Sequence, residues 1–163
     1  MNRAPFIQQL RKHGWIVEER AEPAFRIPPA IAARYPRLPD SLVGFLSGLS
    51  LCADARQTTW FLCQQDYDGT SSSAFSWDEW EQLSLRAADG SPELVARIRA
   101  FWDTHFPFMF SVHSGYAFHA VCTAEDGFGR IVEGCEPEFE EVTEVAGSFD
   151  EFLSMFVHES RAA

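Results

Sequence analysis

Residues 107–122 read PFMFSVHSGYAFHAVC, and the period of this stretch decides the fold class. Phe108, Phe110 and Val112 alternate with Met109, Ser111 and His113, and Tyr116, Phe118, Ala120 and Cys122 repeat the alternation. A period of two sends successive side chains to opposite faces of a strand. Ser114-Gly115 between the two runs supplies a short turn, so the stretch predicts an antiparallel hairpin. Toward the C-terminus, Asp126-Gly127 with Gly129 makes a second turn into a strand at Arg130–Glu133, and Glu140–Val145 is expected as a fourth strand of the same meander.

Helical signals surround this meander. Just upstream, Ser91 is a cap and Pro92 suits a first helical turn, where its missing N–H would be unpaired in any case. Leu94, Val95, Ile98, Phe101 and Trp102 then form the apolar stripe of a helix over 91–105. Downstream, Ser148 and Glu151 form a capping box for a helix with Phe149, Phe152, Leu153, Phe156 and Val157 on one face. Ser76 and Glu79 repeat that box for a helix carrying Trp77 and Trp80.

Nearer the N-terminus, Thr58–Cys63 is a β-branched and aromatic strand. Asp40 is read as the cap of a helix starting at Ser41, with Leu42, Phe45, Leu46 and Leu49 at helical spacing. Glu22–Pro39 holds five prolines and is read as an irregular connector. Trp15–Arg20 is extended, and Phe6, Ile7 and Leu10 share the face of a short helix stopped by Gly14. Helices, an antiparallel meander and a final docking helix make an α+β order. The expectation is one domain over 1–163, with a mostly antiparallel twisted sheet of about five to six strands and helices packed around it.

Composition supports a single core and narrows the partners. The chain has 163 residues, 46% of them hydrophobic, with 15 Phe and 5 Trp. That is enough to form a core without disulfides or metals. A net charge of -11 excludes non-specific binding to nucleic acid or anionic membrane, which needs Lys and Arg. The charge is unevenly placed. Residues 125–151 hold ten acids against Arg130 alone, whereas residues 1–40 hold seven basic residues against four acids. A run of this kind serves either as a solvated face or as a docking surface for a basic partner. No signal peptide or membrane span is read, and Cys52, Cys63, Cys122 and Cys135 lack Cys-x-x-Cys pairing, so the expected location is the reducing cytoplasm.

The order of motifs resembles a known family. Leu-Pro-Asp-Ser-Leu-x-x-Phe-Leu at 38–46, Trp-Asp with Phe-Pro-Phe within 102–108, the hairpin glycine Gly115, Gly-x-Gly-x-Ile-Val at 127–132 and Val-Ala-x-Ser-Phe-x-x-Phe-Leu at 145–153 are similar to the SUKH superfamily, over residues 38–157. That superfamily includes fungal cell-wall assembly regulators and bacterial immunity proteins that neutralise polymorphic toxins, often nucleases. The resemblance implies an α+β domain without a catalytic centre that binds a protein, here a basic toxin domain. The alternative of the same fold is an intracellular regulatory or scaffold module, and an enzyme ranks last. No cofactor, nucleic acid or membrane partner is expected, and the chain is expected to be a monomer or weak homodimer.

Residue-level candidates follow from charge and chemistry. Glu136, Glu138, Glu140, Glu141 and Glu144, with Asp126 at the neighbouring turn, are the expected partner-binding acids, because an acidic surface mimics phosphate in a nuclease cleft. Tyr67, Trp77 and Trp80, clustered with Trp60 around the 69–73 Ser-rich loop, are candidate interface anchors, since Trp and Tyr dominate binding hot spots. As core residues they need no such role. His113, His119 and Asp126 form a conceivable but unspecific metal set, and Cys63 a conceivable nucleophile; both are read as ordinary structural residues.

Overall fold

The computed structural model describes residues 3–159, and its strands lie side by side in the order in which the chain makes them. The chain begins with α1 (Ala4–Lys12) and β1 (Ile16–Glu19), then α2 (Pro29–Arg34), α3 (Asp40–Ser47), β2 (Leu49–Ala53), β3 (Thr59–Phe61) and α4 (Gln64–Tyr67). It continues with α5 (Glu79–Ala87), α6 (Pro92–Trp102), β4 (His105–Ser111), β5 (Ala117–Cys122), β6 (Ile131–Cys135), β7 (Thr143–Ala146) and α7 (Phe149–Glu159). Each strand pairs antiparallel with the next, giving an open seven-stranded sheet. The α+β class is as expected, with a strand more than the sequence suggested.

The extra strand is β2. Leu49 continues the i, i+7 spacing of Leu42, Phe45 and Leu46, so periodicity assigns it to the helix. The helix instead ends at Ser47, and Leu49 becomes the first residue of β2. Asp40 is the first helical residue and makes no capping bond; Pro39 precedes it in the cap position. The proline-rich connector also contains α2, because Pro29 sits in its first turn, where proline is tolerated. Trp77 lies in the turn before α5 rather than on it, α6 stops at Trp102, and the last strand starts at Thr143 rather than Glu140. At the head of α7, Ser148 Oγ accepts the N–H of Glu151 at 3.2 Å, and Glu151 reaches back to the N–H of Gly147 at 2.8 Å.

The hairpin that set the fold class is present with one change. Pro107 lies inside β4, and the register against β5 shifts between Pro107 and Met109. A bulge of this kind breaks the alternation. Phe108 therefore packs on Phe61, Phe149 and Phe152, while Phe110 packs on Trp60 and Trp80. Every residue from Phe106 to Phe110 is buried, so the strand is covered on both faces.

Two helical layers provide that cover. On one side α1, α3 and α7 interlock through Phe6–Phe45 and Phe45–Phe149 ring contacts, and Trp15, just before β1, packs on Phe156. On the other, α5 and α6 place Trp80 over Phe110 and Trp102 over Phe118. Phe149, Phe152 and Leu153 of α7 are all buried. At about 2 kcal/mol for each buried side chain, against a typical stability of about 5–15 kcal/mol, this final helix is integral to the core. Among the described residues no helix is long and apolar enough to cross a membrane.

Candidate functional site: an acid-rimmed groove

The acid-rich stretch is held to the fold by one aromatic ring. Between β6 and β7 the chain reads EPEFEEV over 136–142, and Phe139 is the residue driven inward. It is 4% exposed and stacks on Trp80 with centroids 5.7 Å apart. Glu138 and Glu141 are consequently exposed, their backbones joined by a turn bond from Glu141 N–H to Glu138 C=O at 3.0 Å. A polar run with one isolated Phe is the only sequence signal of this arrangement.

The acids then divide by task. Glu136 accepts the N–H of Tyr116 at 2.9 Å, and Glu140 accepts the indole N–H of Trp102 at 2.8 Å, so these two carboxylates fasten the loop to the turn leading into β5 and to the end of α6. Glu144 makes a solvent-exposed ion pair with Arg130 at 3.4 Å, of a kind that contributes little. Asp126 is exposed in the turn between β5 and β6. It is not beside Glu136: four residues of β5 separate the Ala117–Cys135 rung near Glu136 from the Val121–Ile131 rung near Asp126, whereas Glu144, opposite Val132, lies toward the Asp126 end. At about 3.4 Å per residue the two ends stand roughly 14 Å apart.

Glu138, Glu140 and Glu141 line one wall of a groove of about 530 Å³. The opposite wall is formed by α5, α6 and the turn joining them, mainly Ala87, Ala88, Leu94, Ile98 and Phe101, with Arg97 as its one cation. Leu94 is 44% exposed, although helical spacing placed it in the buried stripe. An apolar floor with an acidic rim suits an amphipathic basic segment.

Two of the aromatic candidates, Tyr67 and Trp80, are core residues. Trp80 is 0% and Tyr67 3% exposed. The Trp80 indole donates to Ala117 C=O at 3.2 Å and the Tyr67 hydroxyl to Pro107 C=O at 2.9 Å, which satisfies their polar ends internally. Trp77 is half-buried against Tyr35 and Tyr67. None of the three belongs to the acid-rimmed groove.

Cys63 is buried, and burial pushes its thiol up to about 12, far from a reactive thiolate. His113 is exposed in the hairpin turn and His119 packs on Phe108 and Phe152; no metal-competent group of three His, Cys, Asp or Glu occurs among the described residues. Burial pushes His119 from 6.5 down to about 4. The unfolded chain therefore takes up a proton that the folded chain refuses. Its contribution is complete above about pH 6.5 and is lost as pH falls toward 4, up to roughly 3 kcal/mol. Glu133, 3.9 Å away and half exposed, is too well solvated to reverse this. His119→Phe should remove most of the stability loss between pH 7 and 4.5 in urea titrations; an acid limb as steep as that of the parent would refute the role.

The groove, its one cation and the pinning Phe139 were not foreseen from the sequence, because each depends on contacts between residues distant in the chain. Compared with known proteins, the chain matches no family model, no curated protein and no solved structure.

Proposed function

We propose that the protein is a non-catalytic binding domain of the immunity type, acting in the cytoplasm, which neutralises a basic toxin domain by seating part of it in the acid-rimmed groove. The observation that carries this reading is the alignment of Glu138, Glu140 and Glu141 along one wall of a groove with an apolar opposite wall. The resemblance of the motif order to that of the SUKH superfamily supports the same class of partner. A toxin that cuts nucleic acid presents a cationic phosphate-binding cleft. Carboxylates held in a row attract that cleft at long range and occupy it on contact.

The test is a charge reversal with a spatial control. A partner captured from the source cell qualifies only if it is toxic when expressed alone and harmless when co-expressed with this protein. Against that partner, Glu138→Lys with Glu141→Lys is expected to weaken binding by about 100-fold and to flatten its salt dependence. Glu125→Lys with Asp126→Lys, the same charge change at the far end of the β5–β6 hairpin, should weaken it by less than about fivefold. Equal losses from the two pairs would reduce the groove to a net-charge effect. A partner that forms a stable but non-toxic assembly would favour the regulatory reading.

A further inference from the structure

A second cavity, of about 340 Å³, opens beside β2 and β3 beneath the Ser-rich loop, and none of its residues belongs to the acid-rimmed groove. Trp60 and Phe75 form its apolar wall, both half-buried, with near-parallel rings 5.9 Å apart. Its polar lining is rich in neutral groups: Gln57, Gln65 and three successive serines at 71–73.

Gln57 stands exposed at the lip of the cavity. It adopts a positive φ of 54°, a conformation that costs a side chain and that glycine takes freely. The turn does not need its carboxamide. Asp54 already fixes that turn by accepting the N–H groups of Gln57, Thr58 and Thr59, the first through its carbonyl and the others through its carboxylate. The Gln57 carboxamide has no partner among the described residues. This exposed carboxamide is therefore free to exchange solvent for a ligand at the lip of the cavity.

The chemistry of the lining selects the ligand. No Lys or Arg lines the cavity, so an anion finds no counter-charge. The one acid, Asp66, is 8% exposed and accepts the Cys63 N–H at 2.7 Å, so a cation finds no solvent-facing carboxylate. What remains is an aromatic wall facing amides and hydroxyls. Gln65 uses its Nε2 on Ser50 C=O at 2.6 Å and keeps Oε1 as an acceptor. Ser73 Oγ accepts the Phe75 N–H at 3.1 Å and keeps its proton to donate.

We propose that this cavity binds a neutral, hydroxyl-rich ring, a pyranose sugar unit, packed against the Trp60–Phe75 pair and hydrogen-bonded by Gln57, Gln65 and Ser73. The C–H face of a pyranose meets the electron-rich face of an aromatic ring, while its rim of hydroxyls both donates and accepts. The volume lies at the small end of ligand sites and suits a single ring.

The full chain is titrated with methyl glucopyranoside, methyl galactopyranoside and N-acetylglucosamine, with arginine and inorganic phosphate as charged controls, and followed by 1H–15N NMR. One of the sugars is expected to shift the Trp60 indole and Ser72 amide signals saturably, with a millimolar constant. Gln57→Gly should fold with an equal or higher urea midpoint and bind that sugar about fivefold more weakly. Trp60→Ala should abolish the shifts. The proposal is overturned if no sugar saturates by about 50 mM, equivalent to a binding energy too small for a built site. It is equally overturned if arginine or phosphate moves the same signals as strongly, or if Gln57→Gly keeps full affinity. None of these outcomes bears on the toxin-binding reading, which uses other residues.

Discussion

Arg34→Ala should lower the unfolding free energy by about 3 kcal/mol, although the substitution lies at the end of a six-residue helix in a proline-rich segment. The Arg34 guanidinium meets the Glu81 carboxylate with both terminal nitrogens at 2.7 Å and reaches Asp103 with Nε at 2.8 Å. Glu81 is buried, its side chain 7% exposed. Removing the arginine leaves that carboxylate without its counter-charge, and the cost is set by the stranded group rather than by the lost attraction. Arg34 itself is 23% exposed, which places the effect at the low end for buried pairs. The double variant Arg34→Met with Glu81→Leu removes both charges and should return to within about 1 kcal/mol of the parent. Urea unfolding at pH 7 checks the series. A single-variant loss below about 1 kcal/mol would place the pair among ordinary surface bridges.

Gly134→Ala is the second large effect, of about 3 kcal/mol. A Cβ at Gly134 would lie 2.5 Å from a Phe118 ring carbon and 2.6 Å from the Phe139 carbonyl oxygen. The first conflict moves a core ring and the second moves backbone, so neither relaxes cheaply. Gly48→Ala makes a useful contrast. Its Cβ conflicts with the guanidinium end of Arg3, which swings away, and its cost should stay below about 1 kcal/mol. Because Phe139 anchors the segment that carries Glu138, Glu140 and Glu141, Gly134→Ala should also shift the Trp102 indole N–H signal as its bond to Glu140 is disturbed. Thermal unfolding and that NMR signal test the two halves. Unchanged values in both would mean that the close approach is not a constraint.

The sequence revealed most where a segment's burial follows from its own period. Alternation in 107–122 located β4 and β5, and the stripe of Phe149, Phe152 and Leu153 located α7. It misled where a period ran past the true boundary, as at Leu49, or where a bulge interrupts alternation, as at Pro107 and Met109. Phe108 and Phe110 read as neighbours on one face and lie against different helical layers. The site was legible in charge and not in shape. Ten acids within 125–151 are evident, yet two of the five expected glutamates serve as hydrogen-bond acceptors for the fold, and Asp126 sits at the far end of a hairpin. Tyr67 and Trp80 were ambiguous because aromatic residues suit cores and interfaces equally. Only the partners of their polar atoms decide between the two.

The single ring that secures the 136–142 segment separates what the fold requires from what it leaves to solvent. Phe139, Glu136 and Glu140 face inward or hold a backbone or indole donor, whereas 138 and 141 face solvent on the groove's rim. Replacing the latter pair changes the surface without disturbing the core. A lineage built on this scaffold can therefore vary these two positions freely while the sheet and its helices stay the same.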